Sequence, residues 1–275
     1  MKKRVAVVGL GQIGTAVVNA FSDYQETLID DKFLIIGVDK NINVLEKPEL
    51  QKLKNFSTSI PEADYYMVCV WTMDQIFDVL EEIGDLKRTD AVDPLIIIES
   101  TLDLSRMGEF SNLISRLGLE KQIATVPHRW NPDDSAHGVF NQKRVLGANN
   151  PMTLKALHEF YGMFMAKENM HLTDFLTAAS SKVCENAYRF MEIVLAQEMS
   201  LAVKARGIDW NKLREAMNTK WNIDVREALY GVGGKCLPKD IGIFNTTFPT
   251  ASIFSYAAFL NEHYKAVINE AGPSD

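Results

Sequence analysis

The chain has 275 residues, 47% hydrophobic and 24% charged, an ordinary globular balance that fits one large domain or two modest ones. A net charge of −7 argues against a nucleic-acid surface and against a face for anionic lipid. Three widely spaced cysteines, Cys69, Cys184 and Cys236, form neither a disulfide framework nor a metal-ligand pattern. A reducing, cytoplasmic setting without a metal is therefore expected. The basic N-terminus resembles a leader only superficially, since Gly9 and Gly11 interrupt its apolar run early. No stretch is long and apolar enough to span a bilayer.

Residues 5–8 are a short β-branched run, expected as a buried strand. Gly9-Leu10-Gly11-Gln12-Ile13-Gly14 follows, and 15–21 reads as helix. This is a GxGxxG loop between strand and helix, the setting of a dinucleotide site. Gly9 makes the turn, Gly11 lets a pyrophosphate approach the backbone, and Gly14 allows close helix–strand packing. A second strand over 33–38 ends at Asp39, placed to hold a ribose 2′-hydroxyl and repel a 2′-phosphate. NAD is thus expected over NADP, with Lys40 slightly weakening the preference. A glycine turn that holds no nucleotide is the bland alternative.

Further strands are expected over 65–70, 95–98, 123–126 and 143–147, with a helix over 76–83. Alternating strands and helices imply a largely parallel, doubly wound sheet, with ligands beyond the carboxyl ends of its strands. Asp39, Thr72, Ser100, Thr101, His128 and Arg129 all fall at such ends, where a polar residue can also simply cap a helix. From Pro151 the pattern turns helical. A helix is expected over 151–165, then a short extended piece over 170–172. Residues 174–206 run without Pro or Gly, with Thr173 as expected N-cap and Gly207 as stop. A helix so long suits a domain link or a dimer interface. Lys182 and Asn186 lie on one face of it, four residues apart, and by themselves read as readily as a solvated pair. Helices over 210–217 and 252–268 close the chain, and Gly272-Pro273-Ser274 reads as a frayed end.

Between those last helices stands Gly231-Val232-Gly233-Gly234-Lys235-Cys236-Leu237-Pro238-Lys239-Asp240. The glycines free the backbone to turn, and Pro238 pre-sets the start of a helix. A thiol there meets the positive end of a helix dipole, with Lys235 and Lys239 on either side and Asp240 as a base one short turn later. An activated nucleophile and a buried cysteine beside an ordinary turn are the two readings.

These motifs resemble the nucleotide-sugar dehydrogenase family, the UDP-glucose and GDP-mannose dehydrogenases. The resemblance rests on the glycine loop, on Glu99-Ser100-Thr101, on Lys182 with Asn186, and on the ten residues around Cys236. It implies an α/β fold like that of 6-phosphogluconate dehydrogenase. A Rossmann-like NAD-binding domain over 1–170 would precede an all-helical domain over 171–275 with a long central dimerisation helix. It implies NAD-dependent oxidation of a sugar or nucleotide-sugar primary alcohol to the carboxylate, as in polysaccharide biosynthesis, by a homodimer. Lys182, Asn186 and an ordered water would serve the first hydride transfer. Cys236 would trap the aldehyde and carry the thioester, and Asp240 would activate the hydrolytic water. Thr72, Ser100, Thr101 and Lys239, with Gly9, Gly11, Gln12, Ile13, Gly14 and Asp39, would bind NAD. Gly233 and Arg226 would bind substrate, Arg226 across subunits.

Three departures stand out. The chain ends where the family's third, nucleotide-holding domain would begin, so a separate nucleotide-binding partner is one expectation. His128 occupies the place of a glutamate that orders the hydrolytic water, a base whose work should fail below pH about 6.5. Trp71-Thr72-Met73 and Leu102-Asp103-Leu104 lack the family's usual prolines. The competing readings are a single-hydride dehydrogenase of the hydroxyacid type and a catalytically lapsed NAD-binding regulatory subunit.

Overall fold

The computed structural model describes residues 2–24, 32–51, 53–86, 93–134 and 136–270. The expected frayed end at Gly272-Pro273-Ser274 lies outside them. The chain divides into two compact units, Met1–Lys182 and Val183–Asp275.

The first unit is an eight-stranded sheet with helices. Its strands are β1 (Lys3–Val8), β2 (Phe33–Val38), β3 (Phe56–Ser57), β4 (Tyr65–Val68), β5 (Leu95–Ile98), β6 (Ile123–Thr125), β7 (Arg144–Gly147) and β8 (Met170–Thr173), in spatial order β3-β2-β1-β4-β5-β6-β7-β8. All neighbours are parallel except β6 with β7. The β5 sequence Leu-Ile-Ile-Ile is wholly buried, as a strand covered on both faces requires. α1 (Gln12–Tyr24), α2 (Met73–Gly84), α3 (Met107–Arg116) and α4 (Pro151–Tyr161) complete the unit. Phe21, Phe33, Phe160 and Phe164 meet largely edge to face and fill part of its core.

Several elements differ from the sequence expectation. Neither β3 nor α3 is anticipated; α3 buries only Phe110 and Leu113. α4 ends at Tyr161, not near 165: beyond Gly162 the bonds tighten, Met163 N–H to the Phe160 carbonyl and Phe164 N–H to that of Tyr161. Thr173 lies in β8 instead of capping the long helix. Asp174 is the cap, accepting from the Thr177 N–H at 2.8 Å, a contact worth about 1 kcal/mol.

That helix, α5 (Phe175–Lys204), has 30 residues and so is about 45 Å long. It ends in paired bonds, Ile208 N–H to the Val203 carbonyl and Gly207 N–H to the Lys204 carbonyl, with Gly207 at φ 71°. This is the left-handed helix stop that glycine favours. The boundary between the units falls within α5. The second unit adds α6 (Trp210–Asn218), α7 (Cys236–Thr247) and α8 (Ser252–Glu270) around a core of Ala187, Phe190, Val194, Val232, Ile241 and Ala257.

Candidate active site

The glycine loop of the first unit has the shape of a dinucleotide cradle. Gly9 has φ 91°, and a Cβ there would lie 2.9 Å from the Cys69 carbonyl oxygen. A Cβ on Gly14 would overlap the Gly9 carbonyl at 1.9 Å. At Gly11 a Cβ would meet nothing within 4 Å, leaving the backbone open where α1 begins at Gln12. The amides of Gln12 and Ile13 thus belong to the first turn of a helix, whose unpaired N–H groups suit a phosphate. Asp39 ends β2 and its carboxylate accepts from the Leu10 N–H at 2.8 Å. A cavity of about 810 Å³ opens along α1, lined among others by Gly11, Gln12, Thr15, Lys47, Trp130 and Asn141. Lys47 donates to the Leu10 carbonyl at 2.6 Å, bringing a cation to the loop that the sequence reading missed. Its only sequence signal is a lysine eight positions past Asp39.

Two expected cofactor residues have other partners. Thr72 caps α2, accepting from Gln75 N–H, while the Gln75 side chain accepts from the Thr72 N–H. The Ser100 hydroxyl ties strand ends together, 2.8 Å from the Val70 carbonyl and 3.1 Å from that of Val68. Thr101 is half-buried just beyond β5.

Behind β5 and β6 lies a fully buried polar group. Arg144 Nη2 donates to Glu99 Oε2 at 2.5 Å and to the Val126 carbonyl at 2.8 Å. His128 Nδ1 is 2.8 Å from the same carboxylate oxygen, and the Tyr161 hydroxyl donates to Oε1. Burial alone would push the Glu99 pKa up, but the Arg144 charge, with His128 and Tyr161, brings it down to about 2. Burial also pushes His128 below its ordinary 6.5, against the pull of Glu99 and with help from Arg144 and Lys182. Burial thus acts against an imidazole that charges near the ordinary 6.5 used in the sequence expectation.

This group predicts an acid-labile fold. Below pH 6.5 the unfolded chain takes up a proton on His128 that the folded chain resists, so stability falls. Glu99 contributes fully above its ordinary 4.5, and its contribution is lost as pH falls from there towards 2. Urea midpoints measured from pH 8 to 4 should be level at first and then decline below about 6.5. A midpoint unchanged down to pH 5 would contradict the buried neutral imidazole.

The second unit holds the cysteine. Cys236 is exposed and is the first residue of α7, so its thiol sits at the positive end of a twelve-residue helix. The loop before it turns at Gly231 and Gly234, with φ 88° and 73°. A Cβ on Gly231 would strike the Lys265 side chain at 2.6 Å, whereas Gly233 faces open space. Asn261, buried on α8, holds the loop from beneath. It accepts from Val232 N–H at 2.6 Å and donates to the Val232 carbonyl at 3.2 Å. Tyr264 Oη adds bonds to the Ala228 and Leu229 carbonyls. The sequence reading missed both, and an asparagine inside a helix, where it needs a partner, was the one available signal.

Asn186 and Asp240, 54 positions apart, meet in this unit: Asn186 Nδ2 donates to Asp240 Oδ2 at 2.5 Å. Both are buried. Asp240 Oδ1 makes no hydrogen bond among the described residues and lies 3.5 Å from Lys239 Nζ. Lys182 is half-buried, four residues before Asn186 on α5. Arg226 pairs with Glu192 at 3.2 Å and Asp224 at 3.0 Å within its own chain. No group of three His, Cys, Asp or Glu among the described residues could hold a metal ion. No helix of the described residues is long and apolar enough to cross a membrane.

Residues 176–262 match the family model for the central domain of the UDP-glucose/GDP-mannose dehydrogenase family. UDP-N-acetyl-D-mannosamine dehydrogenase of Pyrococcus horikoshii is 26% identical over 86% of this chain and 62% of its own length. The enzyme of that name from Methanocaldococcus jannaschii is 27% identical over 94% of this chain and 65% of its own. Protein CapL of Staphylococcus aureus is 25% identical over 87% and 61%. The chain thus spans about three-fifths to two-thirds of the length of the curated relatives it matches. Among solved structures, UDP-D-ManNAc dehydrogenase from Pyrococcus horikoshii superposes with a TM-score of 0.81 at 22% identity, over 96% of this chain and 69% of that one. 3-Hydroxyisobutyrate dehydrogenase of Mycobacterium tuberculosis gives 0.71 at 15% identity, over 97% and 94%. Both structures share the expected fold, a Rossmann-type unit followed by helices.

Proposed function

We propose that the chain oxidises the primary alcohol of a nucleotide sugar to the carboxylate with NAD, a reading supported by the match of residues 176–262 to the family model for the central domain of the UDP-glucose/GDP-mannose dehydrogenase family. The observation that carries the reading is an exposed Cys236 opening α7, with the buried Asp240 one turn on and bonded to Asn186. NAD+, when bound, accepts one hydride at each of two oxidations. Gly9, Gly11, Gln12, Ile13 and Gly14 cradle its pyrophosphate, with Lys47 beside them, and Asp39 takes a ribose hydroxyl. Thr72, Thr101 and Lys239 are further candidates for contact with it.

Lys182 and Asn186 hold the substrate oxygen while an ordered water takes the alcohol proton. After the first oxidation the Cys236 sulfur bonds to the aldehyde carbon, giving a thiohemiacetal. The thiohemiacetal then gives its hydroxyl proton to the ordered water and loses the second hydride, so that carbon becomes a thioester; Lys182 stabilises the oxyanions formed before and after it. Water assisted by Asp240 then adds to the carbonyl, the C–S bond breaks, and Cys236 regains its proton as the acid leaves. Gly233 and Arg226 contact substrate, Arg226 on exchanging its own carboxylates for a neighbouring subunit. Tyr188 and Leu195 stand 63% and 61% exposed on α5, which supports a homodimer along that helix. A monomer in sedimentation equilibrium at micromolar concentration would remove that part of the reading.

Mixing the protein with NAD+ and a panel of UDP- and GDP-sugars, including UDP-N-acetylmannosamine, tests the activity. The expected result is NADH absorbance together with the acid by mass; absence of NADH across the panel would sink the proposal. The cofactor preference has its own check. Asp39 should meet the 2′-phosphate of NADP unfavourably and lose its ribose bond, a penalty of about 1.5–3 kcal/mol. Calorimetric titration should therefore find NAD bound at least tenfold more tightly, and equal affinities would strip Asp39 of this role.

A further inference from the structure

Cys236 stands in a segment with little of its own to hold it. Residues 233–236 are exposed, and the first two are glycines. α7 starts at Cys236 without a side-chain cap, and the bond that closes its first turn, Lys239 N–H to the Lys235 carbonyl, is 3.4 Å long. Pro238 has no N–H to add. Beyond Cys236 the chain is fixed by the buried Ile241 and by Asp240 on Asn186. Before it, the fixed point is Val232, which is held twice. Its side chain joins the core of Ala187, Phe190, Val194, Ile241 and Ala257. Its N–H donates to Asn261 Oδ1 at 2.6 Å, and its carbonyl accepts from Asn261 Nδ2 at 3.2 Å. A backbone N–H only donates and a carbonyl only accepts, so this pairing fixes which way round the Asn261 amide sits. Gln197, wholly buried on α5, donates Nε2 to the same Oδ1 at 3.4 Å. Glu262 is the charged neighbour, accepting from Asn261 Nδ2 at 3.1 Å and from Lys265 at 2.9 Å. Taking two side-chain amides out of water costs free energy that an apolar pair would not. The core alone has no need of them; the backbone of the loop does.

We propose that Asn261, backed by Gln197, is a positioning residue for Cys236: it fixes Val232, so that the short span 233–235 sets the thiol at the N-terminal end of α7. The inference rests on the proposed function, in which that sulfur carries the substrate carbon. Every residue it uses lies in the second unit. Gly233 and Gly234 leave the span free to take many paths, and Gly234 takes a left-handed one at φ 73°. With Val232 pinned at one end and Asp240 at the other, those paths reduce to one. With Val232 released, the weakly closed first turn of α7 opens and the thiol leaves the helix end.

The first test needs no substrate. Alkylation by iodoacetamide is followed at each cysteine of the full chain by peptide mass, with the exposed Cys184 as reference and the buried Cys69 as reporter of unfolding. The thiolate is the reacting form, and a helix N-terminus favours it. Asn261→Ala should therefore slow Cys236 about fivefold relative to Cys184, with Cys69 still protected. The Val232 N–H should lose its protection from hydrogen exchange in the same variant. Asn261→Asp, once ionised, has no donor for the Val232 carbonyl. It should slow Cys236 as well, and it carries the comparison should Asn261→Ala fail to fold. A purely structural role would leave the ratio of Cys236 to Cys184 at its wild-type value, or speed all three cysteines together, and either result overturns the proposal. With NAD+ and a UDP-sugar, Asn261→Ala should slow formation of the acid about fivefold more than the first burst of NADH, and equal slowing of both overturns the proposal too. A wild type that makes no NADH from any sugar defeats the proposed function instead, and the alkylation ratio then decides the positioning claim alone.

Discussion

Cys236→Ser is expected to abolish formation of the acid while sparing part of the first oxidation. The serine hydroxyl stays protonated at neutral pH, adds poorly to an aldehyde, and is a far worse leaving group than a thiolate. The side chain is exposed at the start of α7, so the exchange should leave the fold intact. Rapid mixing should give a small burst of NADH followed by aldehyde or a stalled adduct in place of acid. Acid appearing at the wild-type rate would remove the covalent mechanism.

Asp240→Asn should act one step later. The change is nearly isosteric, and the amide oxygen can still accept from Asn186 Nδ2, so the buried contact survives. What disappears is the negative charge and the oxygen that makes no hydrogen bond. Loss of such a base costs about 10²- to 10⁴-fold in the step it serves. NADH should therefore form in a burst, and acyl adduct should accumulate on Cys236, visible in the mass of the intact protein. An adduct-free variant turning over normally would clear Asp240 of that role.

All of the sheet but the two-residue β3 was readable because those strands carry their own local signal. The β-branched run before Gly9 and the Leu-Ile-Ile-Ile of β5 need no knowledge of distant residues. The glycine loop was readable for a related reason: Gly9 and Gly14 answer to close contacts that a Cβ would violate. α3 escaped because a helix with two buried residues hardly marks its face. Thr173 and Asp174 are both good caps in sequence, and only the pairing of β8 with β7 decides between them. Thr72 and Ser100 bond the backbone at strand ends, where a polar residue serves a ligand or the backbone, and sequence does not separate the two. The links that organise each candidate site were the least visible. Asn186 meets Asp240 across 54 positions, and Arg144 reaches Glu99 across 45. Neither pairing leaves a period in the sequence. Arg144, a charge at the start of a short strand, is wholly buried.

The central claim is that one active site removes two hydrides from one carbon, with sulfur holding the intermediate. Its most direct measurement is the ratio of NADH formed to nucleotide sugar consumed, read at completion with the acid identified by mass. Two NADH for each acid is the predicted result. One NADH per substrate, with aldehyde or ketone as the final product, would contradict it and put a single-hydride dehydrogenase in its place.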